Sequence, residues 1–336
     1  MNDRLVFKAA TLHDVARAAG VSLITASRAL GNPGLVSEKT IKRVHDAVEA
    51  TGYTPNLLAG GLKSRRSLMV GGVVPTISVP QFLPTIQALT ESLAAAGYQL
   101  MLGQTGYDPS REDALINTMI SRRPDGIVIT GLVYSIAAQE KLRRSRIPVV
   151  EIWDLNERPV DMLVGFSHTK VGSAVAGYFL GKGWKRLGIA TGDDHRGKMR
   201  CEGFMATLGR EVPTAMVPAP SSLELGRRAL RELLEKEPRL QAVYCSSDQL
   251  AQGVLAEAQA RGLKVPEQLA VCGFGNAGFA AHMEPSLTSV HVDGTAIGKI
   301  AATMIIDRCQ GKEIESPVVD VGFRIIERRS TSLASD

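Results

Sequence analysis

Apolar residues recur at helical spacing through the first fifth of the chain, then give way to short apolar runs separated by amphipathic segments. Thr11-Leu-His-Asp14 has the form of a capping box. Leu12, Val15, Ala16 and Ala19 follow as one apolar stripe, and Gly20 stops the turn. Ser22 caps a second predicted helix from about Leu23 to Leu30, which the breaker cluster Gly31-Asn32-Pro33-Gly34 must end. Ser37 opens a third, with Ile41, Val44 and Val48 on its buried side and Gly52 at its end.

Beyond Arg66 the period changes. Strand-length runs are predicted at Leu68–Val74, Tyr98–Gly103, Gly126–Thr130, Val149–Trp153, Leu163–Phe166, Leu187–Ala190, Ala242–Cys245, Leu269–Phe274 and Leu287–Val292. Amphipathic segments lie between many of them: Phe82–Ala96, Arg111–Arg122, Lys170–Leu180, Leu223–Leu234, Gln249–Arg261 and Ala296–Arg308. Alternation of this kind predicts parallel sheets covered by helices on both faces. The stretch is too long for one comfortable core, which predicts two doubly wound subdomains with a cleft between them.

Composition sharpens this picture. The 336 residues are 44% hydrophobic and 22% charged, as in globular proteins, and the formal net charge is +5. Residues 1–66 hold 10 Lys and Arg against 5 Asp and Glu, whereas residues 67–336 hold 29 of each. The whole excess therefore sits on the helical segment, where it favours a polyanion. The longest apolar stretches fall far below the roughly 18 to 20 residues of a membrane helix. No secretory h-region opens the chain, and Cys201, Cys245, Cys272 and Cys309 are too dispersed for a disulfide scaffold or a zinc site. A reducing cytoplasm is the expected location, with neither membrane nor metal as a partner.

Two short helices joined by Ala-Gly-Val-Ser suit a helix-turn-helix, whose second helix enters a major groove. An ordinary helical hairpin shares that spacing. The basic excess favours DNA, as do Leu23 and Ile24 at the start of the second helix, with Ser27 and Arg28 one turn on. The run from Thr11 to Leu30, with Val36-Ser-Glu-Lys-Thr40 and Gly52-Tyr-Thr-Pro-Asn56, resembles the DNA-binding headpiece of the lactose and galactose repressor family. The resemblance extends over essentially the whole chain. It implies an all-α helix-turn-helix headpiece (residues 9–56) and a hinge helix (57–66). It also implies an α/β core like periplasmic sugar-binding proteins, with an N-subdomain of 67–163 completed by about 293–320 and a C-subdomain of 164–292 completed by about 321–330.

Carried over by position, Leu23, Ile24, Ser27 and Arg28 face base edges. Arg28 is able to donate two hydrogen bonds to guanine, whereas the two aliphatic residues make only apolar contacts. Thr11, Ser22, Thr25 and Asn32 fall at phosphate contacts, with helix capping as an equal alternative for Thr11 and Ser22. Asn56, Ala59, Leu62 and Lys63 correspond to the minor-groove hinge, where the family's leucine at the position of Leu62 wedges between base pairs. Gly60 and Gly61 each cost about 0.8 to 1 kcal/mol in a helix, so this one should form only on DNA. The C-terminal residues carry no heptads, so the resemblance implies a homodimer on a near-palindromic operator, not a coiled-coil tetramer.

Gly273-Phe-Gly-Asn-Ala-Gly278 imitates a dinucleotide fingerprint, but only Phe279 to Ser286 separate it from the next strand, which leaves no room for the crossover helix. The six histidines lack metal-ligand spacing, and no nucleophile motif occurs. An enzyme is not expected, and no cofactor. A ligand in such folds sits past the carboxyl ends of the strands. This places candidate contacts at Thr76, Phe82, Tyr107, Glu151, Trp153, Asp154, Lys198, Arg200, Ser247 and Asn276. Arg200 takes the place of the family's sugar-holding arginine, while Ser247 and Gly275 replace frequent Asn and Asp; keeping the cation and losing an acid favours an anion. Arg196 and Lys198 read as solvated loop charges. Ile147-Pro-Val-Val-Glu-Ile-Trp-Asp154, continuing to His168, is similar to gluconate-responsive repressors. The effector implied is gluconate, a ketogluconate or another aldonate, with its carboxylate on Arg200. The alternatives are a neutral or phosphorylated sugar, or a sugar-binding receptor without regulatory role.

Overall fold

The computed structural model describes residues 9–54, 66–156 and 158–332. The chain divides into two compact units, Met1–Ser67 and Leu68–Asp336.

The first unit holds three helices, α1 (Leu12–Ala19), α2 (Leu23–Gly31) and α3 (Glu38–Thr51). Thr11 donates to Asp14 Oδ2 through both its amide (3.0 Å) and its hydroxyl (2.6 Å), and Gly20, at φ 61°, closes α1 in the left-handed region. The Arg43 guanidinium then takes the carbonyls of Ala19 and Gly20. One of the basic residues in this segment is thereby a helix stop. Ser22 Oγ accepts from the Thr25 amide at 3.1 Å. The core is small, Val15, Ala19, Ala29, Val44 and Ala47, and three alanines among the five let the helices approach closely. The second helix runs one residue further than the pattern predicts, through Gly31, before Pro33–Leu35 form a 3-10 turn.

The second unit carries two six-stranded sheets, ordered β11-β5-β4-β3-β1-β2 and β12-β10-β9-β8-β6-β7. The first lobe holds β1 (Met69–Val74), β2 (Gln99–Gln104), β3 (Gly126–Thr130), β4 (Val149–Ile152), β5 (Met162–Gly165) and β11 (Val318–Asp320), all parallel. The second holds β6 (Leu187–Gly192), β7 (Thr214–Val217), β8 (Ala242–Cys245), β9 (Ala270–Phe274), β10 (Thr288–His291) and β12 (Arg324–Ile326); only β12 is antiparallel to its neighbour. The covering helices are α4 (Leu83–Ala95), α5 (Pro109–Ser121), α6 (Ile136–Ser145), α7 (His168–Gly181), α8 (His195–Leu208), α9 (Leu223–Lys236), α10 (Asp248–Ala260) and α11 (Gly294–Cys309). The chain passes between lobes after β5, after β10 and after β11. Because β5 continues to Gly165 inside the first sheet, the first passage falls past Gly165 and not after Leu163.

Three strands and two helices escape the periodic pattern. β7 alternates in burial at a sheet edge, and β11 and β12 are three-residue strands with little burial, so none presents an apolar run. α6 is mostly polar, and α8 contains Gly197 and Gly203, poor helix formers whose presence has a packing cause. A Cβ on Gly203 would collide with the Thr169 carbonyl, and one on Gly172 with the Arg200 carbonyl. The two glycines notch α7 and α8 into each other, which fixes where Arg200 stands. One apolar cluster runs through both lobes by way of Trp153, Phe166, Phe204, Tyr244 and Phe274.

Candidate functional site: a helix-turn-helix face and an inter-lobe cavity

On the headpiece, α2 buries Ala26 and Ala29 and turns its other side outward. Ile24 is 64% exposed, Leu23 lies at the margin of exposure, and Ser27 and Arg28 are exposed on the same helix. Burying apolar surface of this kind needs a partner, and one that also suits a guanidinium. Thr11 and Ser22 act as caps; the Thr25 hydroxyl lies 2.8 Å from Ser22 Oγ, and Asn32 is exposed at the end of α2. Leu35, at 68%, is a further exposed aliphatic residue that periodicity did not single out. Asn56, Ala59, Leu62 and Lys63 lie outside the described residues.

Between the two lobes of the core lies a cavity of about 830 Å³. Its wall comes from the segments after β1, β2 and β3, from the first turn of α5, and from the start of α8. Of the ten residues proposed from sequence, it takes only Tyr107, whose phenol burial pushes up in pKa. Carboxylates dominate: Asp108, Glu112, Asp113, Asp193 and Asp194, with Arg196 as the one guanidinium among them. Burial, then neighbouring Asp113, raises the Glu112 pKa. The Tyr134 and His195 rings meet at a tilt across the opening, centroids 4.6 Å and planes 59° apart.

Arg196 is not a solvated loop charge. It sits one residue into a helix, its side chain is 13% exposed, and its Nη2 donates to the Thr130 carbonyl at 2.9 Å. The carboxylate of Asp154 stands 3.7 Å from Arg196 Nε; its Oδ2 accepts no hydrogen bond, and burial raises its pKa against the pull of Arg196. Lys198 is exposed, because a residue two positions from Arg196 leaves the helix on another side.

Arg200, one turn beyond Arg196, is enclosed at 4% exposure behind the cavity. Its Nη1 donates to His168 Nδ1 (2.7 Å) and its Nη2 to the Ser246 carbonyl (3.2 Å), and the cation lies 4.3 Å from the Phe274 ring centroid. A guanidinium only donates, so His168 carries its proton on Nε2 and gives it to the Trp153 carbonyl at 3.0 Å. Burial, then the Arg200 charge, holds His168 neutral by depressing its pKa.

The remaining predicted contacts are spent within the protein. Trp153, 2% exposed, packs edge-on against Phe82 and Phe166 and donates its indole N–H to Thr85, so neither its face nor that of the buried Phe82 meets the cavity. Glu151 gives both oxygens to backbone amides, of Val133 at 2.9 Å and Val160 at 2.7 Å, and thereby shapes the loop beneath Tyr134. Thr76 bonds Ser78, Ser247 caps α10, and Asn276 is tied to Ser289, His291 and Arg328. Ser247 lines a nearly closed seam with Val79, Gln81 and Gly275. After Gly278 the chain makes only the 3-10 turn Ala280–His282 before β10, so the glycine-rich segment opens no helix.

Residues 11–56 match the family model of bacterial regulatory proteins, lacI family, and residues 176–331 match the periplasmic binding protein-like domain. The chain is 36% identical over 330 residues to the HTH-type transcriptional regulator GntR of Pseudomonas aeruginosa, covering 96% of this chain and 95% of that one. The chain belongs to the lacI family. It is 30% identical to the HTH-type transcriptional repressor PurR of Klebsiella pneumoniae, over 96% of this chain and 97% of the other. A LacI family transcriptional regulator from Silicibacter pomeroyi superposes with a TM-score of 0.91 at 33% identity, over 96% of this chain and 100% of that structure. This lacI-family protein is accordingly a DNA-binding transcriptional repressor and not an enzyme. No helix among its described residues is long and apolar enough to cross a membrane.

Proposed function

We propose that a monoanionic polyhydroxy acid, gluconate, a ketogluconate or a related aldonate, occupies the inter-lobe cavity and releases the repressor from its operator. The observation that carries this reading is the charge pattern of the wall, one guanidinium among five carboxylates. A single carboxylate on the ligand has one strong partner, while a chain of hydroxyls finds acceptors around it. A phosphorylated sugar would bring nearly two negative charges against those carboxylates, and a neutral sugar would offer Arg196 only hydroxyls, which bond a guanidinium about half as strongly as a carboxylate does. Arg200 supports the site from behind, its Nε without a hydrogen-bond partner.

In the same reading Leu23, Ile24, Ser27 and Arg28 meet base edges, and Thr11, Ser22, Thr25 and Asn32 lie toward phosphates. A homodimer in the cytoplasm sets two headpieces on a near-palindromic site. Met101 and Leu102 on the edge strand β2, with Ile77 held to the end of that strand by Gln104, are exposed apolar positions for a second copy to cover. The test is a gel-shift titration on an operator selected from random duplexes, with gluconate, 2-ketogluconate, glucose and glucose 6-phosphate. Loss of the shift with an acid and not with the other two supports the proposal; a shift indifferent to every acid defeats it.

A further inference from the structure

Arg196 belongs to the second lobe, yet its guanidinium is seated on the first. It meets the Thr130 carbonyl at 2.9 Å, approaches Asp154 at 3.7 Å and lies 5.7 Å from the ring centroid of Phe82. The seat exists because of the next residue in the first lobe. Gly131 holds φ +111°, a conformation L side chains rarely adopt, and a Cβ there would collide with Arg196 Nη2. The other ring contact across this opening, Tyr134 against His195, is a tilted contact between two exposed residues.

We propose that Gly131 and Arg196 form a latch between the lobes, and that the latched guanidinium receives the negative charge of the effector. The guanidinium has five N–H donors, and the Thr130 carbonyl takes one of them. Since Arg196 lines the cavity, donors remain for a ligand carboxylate on the side away from Thr130. Once seated, the planar group has lost its rotamer freedom to the protein, so a carboxylate meets it pre-organised. A ligand that binds the seated guanidinium better than the free one favours the closed arrangement by that difference. A hydroxyl in the same place makes bonds about half as strong and shifts the balance less. The charge-reading half of this inference rests on the sugar-acid reading; the latch itself does not.

Hydrogen exchange of the full-length protein without effector reads the latch alone. Arg196→Ala and Gly131→Ala are each expected to speed exchange across residues 130–135 and 195–197 by about tenfold, the worth of one charge-assisted hydrogen bond. Calorimetric titration then reads the charge. Each variant is expected to lose about tenfold or more in gluconate affinity and clearly less in any glucose affinity, with Lys198→Ala as the unaffected control on the same helix. The double variant should lose no more than either single one, because both remove the same seat. Unchanged exchange in both single variants overturns the latch. Additive losses overturn it too, since they assign the alanine's effect to backbone strain at residue 131. Accelerated exchange with no sugar acid bound by the wild type upholds the latch and defeats the effector reading.

Discussion

Asp248 opens α10 beside the inter-lobe seam and is 3% exposed. Its Oδ1 accepts from the Ser289 hydroxyl and its Oδ2 from the Ala277 amide, both at 2.6 Å, which holds the Gly275–Ala277 turn against the strand ends. These bonds favour the ionised form, but burial outweighs them and raises the pKa from 3.8 to about 6. The folded protein therefore binds this proton more tightly than the unfolded chain. The associated stability is complete below about pH 4 and is lost as pH rises through about 6. A rise of about 2 units corresponds to about 3 kcal/mol. Asp248→Asn removes the titration, so the stability of the variant relative to wild type should rise by about 3 kcal/mol between pH 4 and pH 7. Both tryptophans, Trp153 and Trp184, lie in the core unit, so urea unfolding followed by their fluorescence reports that unit alone. A variant-minus-wild-type difference that stays flat over this range, or falls, would refute the reasoning.

Arg28→Ala should weaken specific over nonspecific operator binding by about 1 to 3 kcal/mol, measured by fluorescence anisotropy on matched and scrambled duplexes at fixed salt. Val44→Ala removes two methyl groups from a five-residue core and should cost the headpiece about 2 kcal/mol. Operator binding should fall while the tryptophan unfolding midpoint stays in place, because the two units carry separate cores. Gly165→Ala drives a Cβ into the Asp154 carbonyl where β5 meets the end of β4. That overpacking should cost about 1 to 3 kcal/mol in the core unit, visible in the same urea titration and absent from headpiece thermal melts.

Each structural level left a different trace in the sequence. The headpiece was legible because its caps and stops are local: Asp14 and Thr11 are three residues apart, and Gly20 and Gly52 end helices at φ values that only short-range sterics decide. Buried parallel strands were legible as apolar runs. The edge strands β7, β11 and β12 were not, since four residues that alternate in burial, or three with little burial, have no run to show. α8 was hidden by Gly197 and Gly203, residues that weaken a helix locally; Gly197 is needed where the helix packs on the end of β6, and Gly203 where it meets α7 far off in sequence. Had that helix been recognised from Asp194, whose side chain caps it through the Gly197 amide, the four-residue spacing of Arg196 and Arg200 would have set both on one face and Lys198 on another.

The sequence alone determined the three headpiece helices, most of the buried strands and covering helices, the basic headpiece, the neutral two-lobed core and the family, since periodicity, capping chemistry and charge placement are properties of neighbouring residues. It also located the ends of the strands from which a ligand site is built. Which side chains at those ends meet the cavity was decided only by the tertiary structure. Trp153 and Arg200 turn into protein partners, Glu151 is consumed by two backbone amides, and Arg196 crosses to the other lobe past a glycine 65 residues away in the chain. The physical reason is that a side chain's availability is a competition among partners within hydrogen-bond reach. Those partners are assembled by the approach of two sheets whose strands, one by one, carry no record of each other.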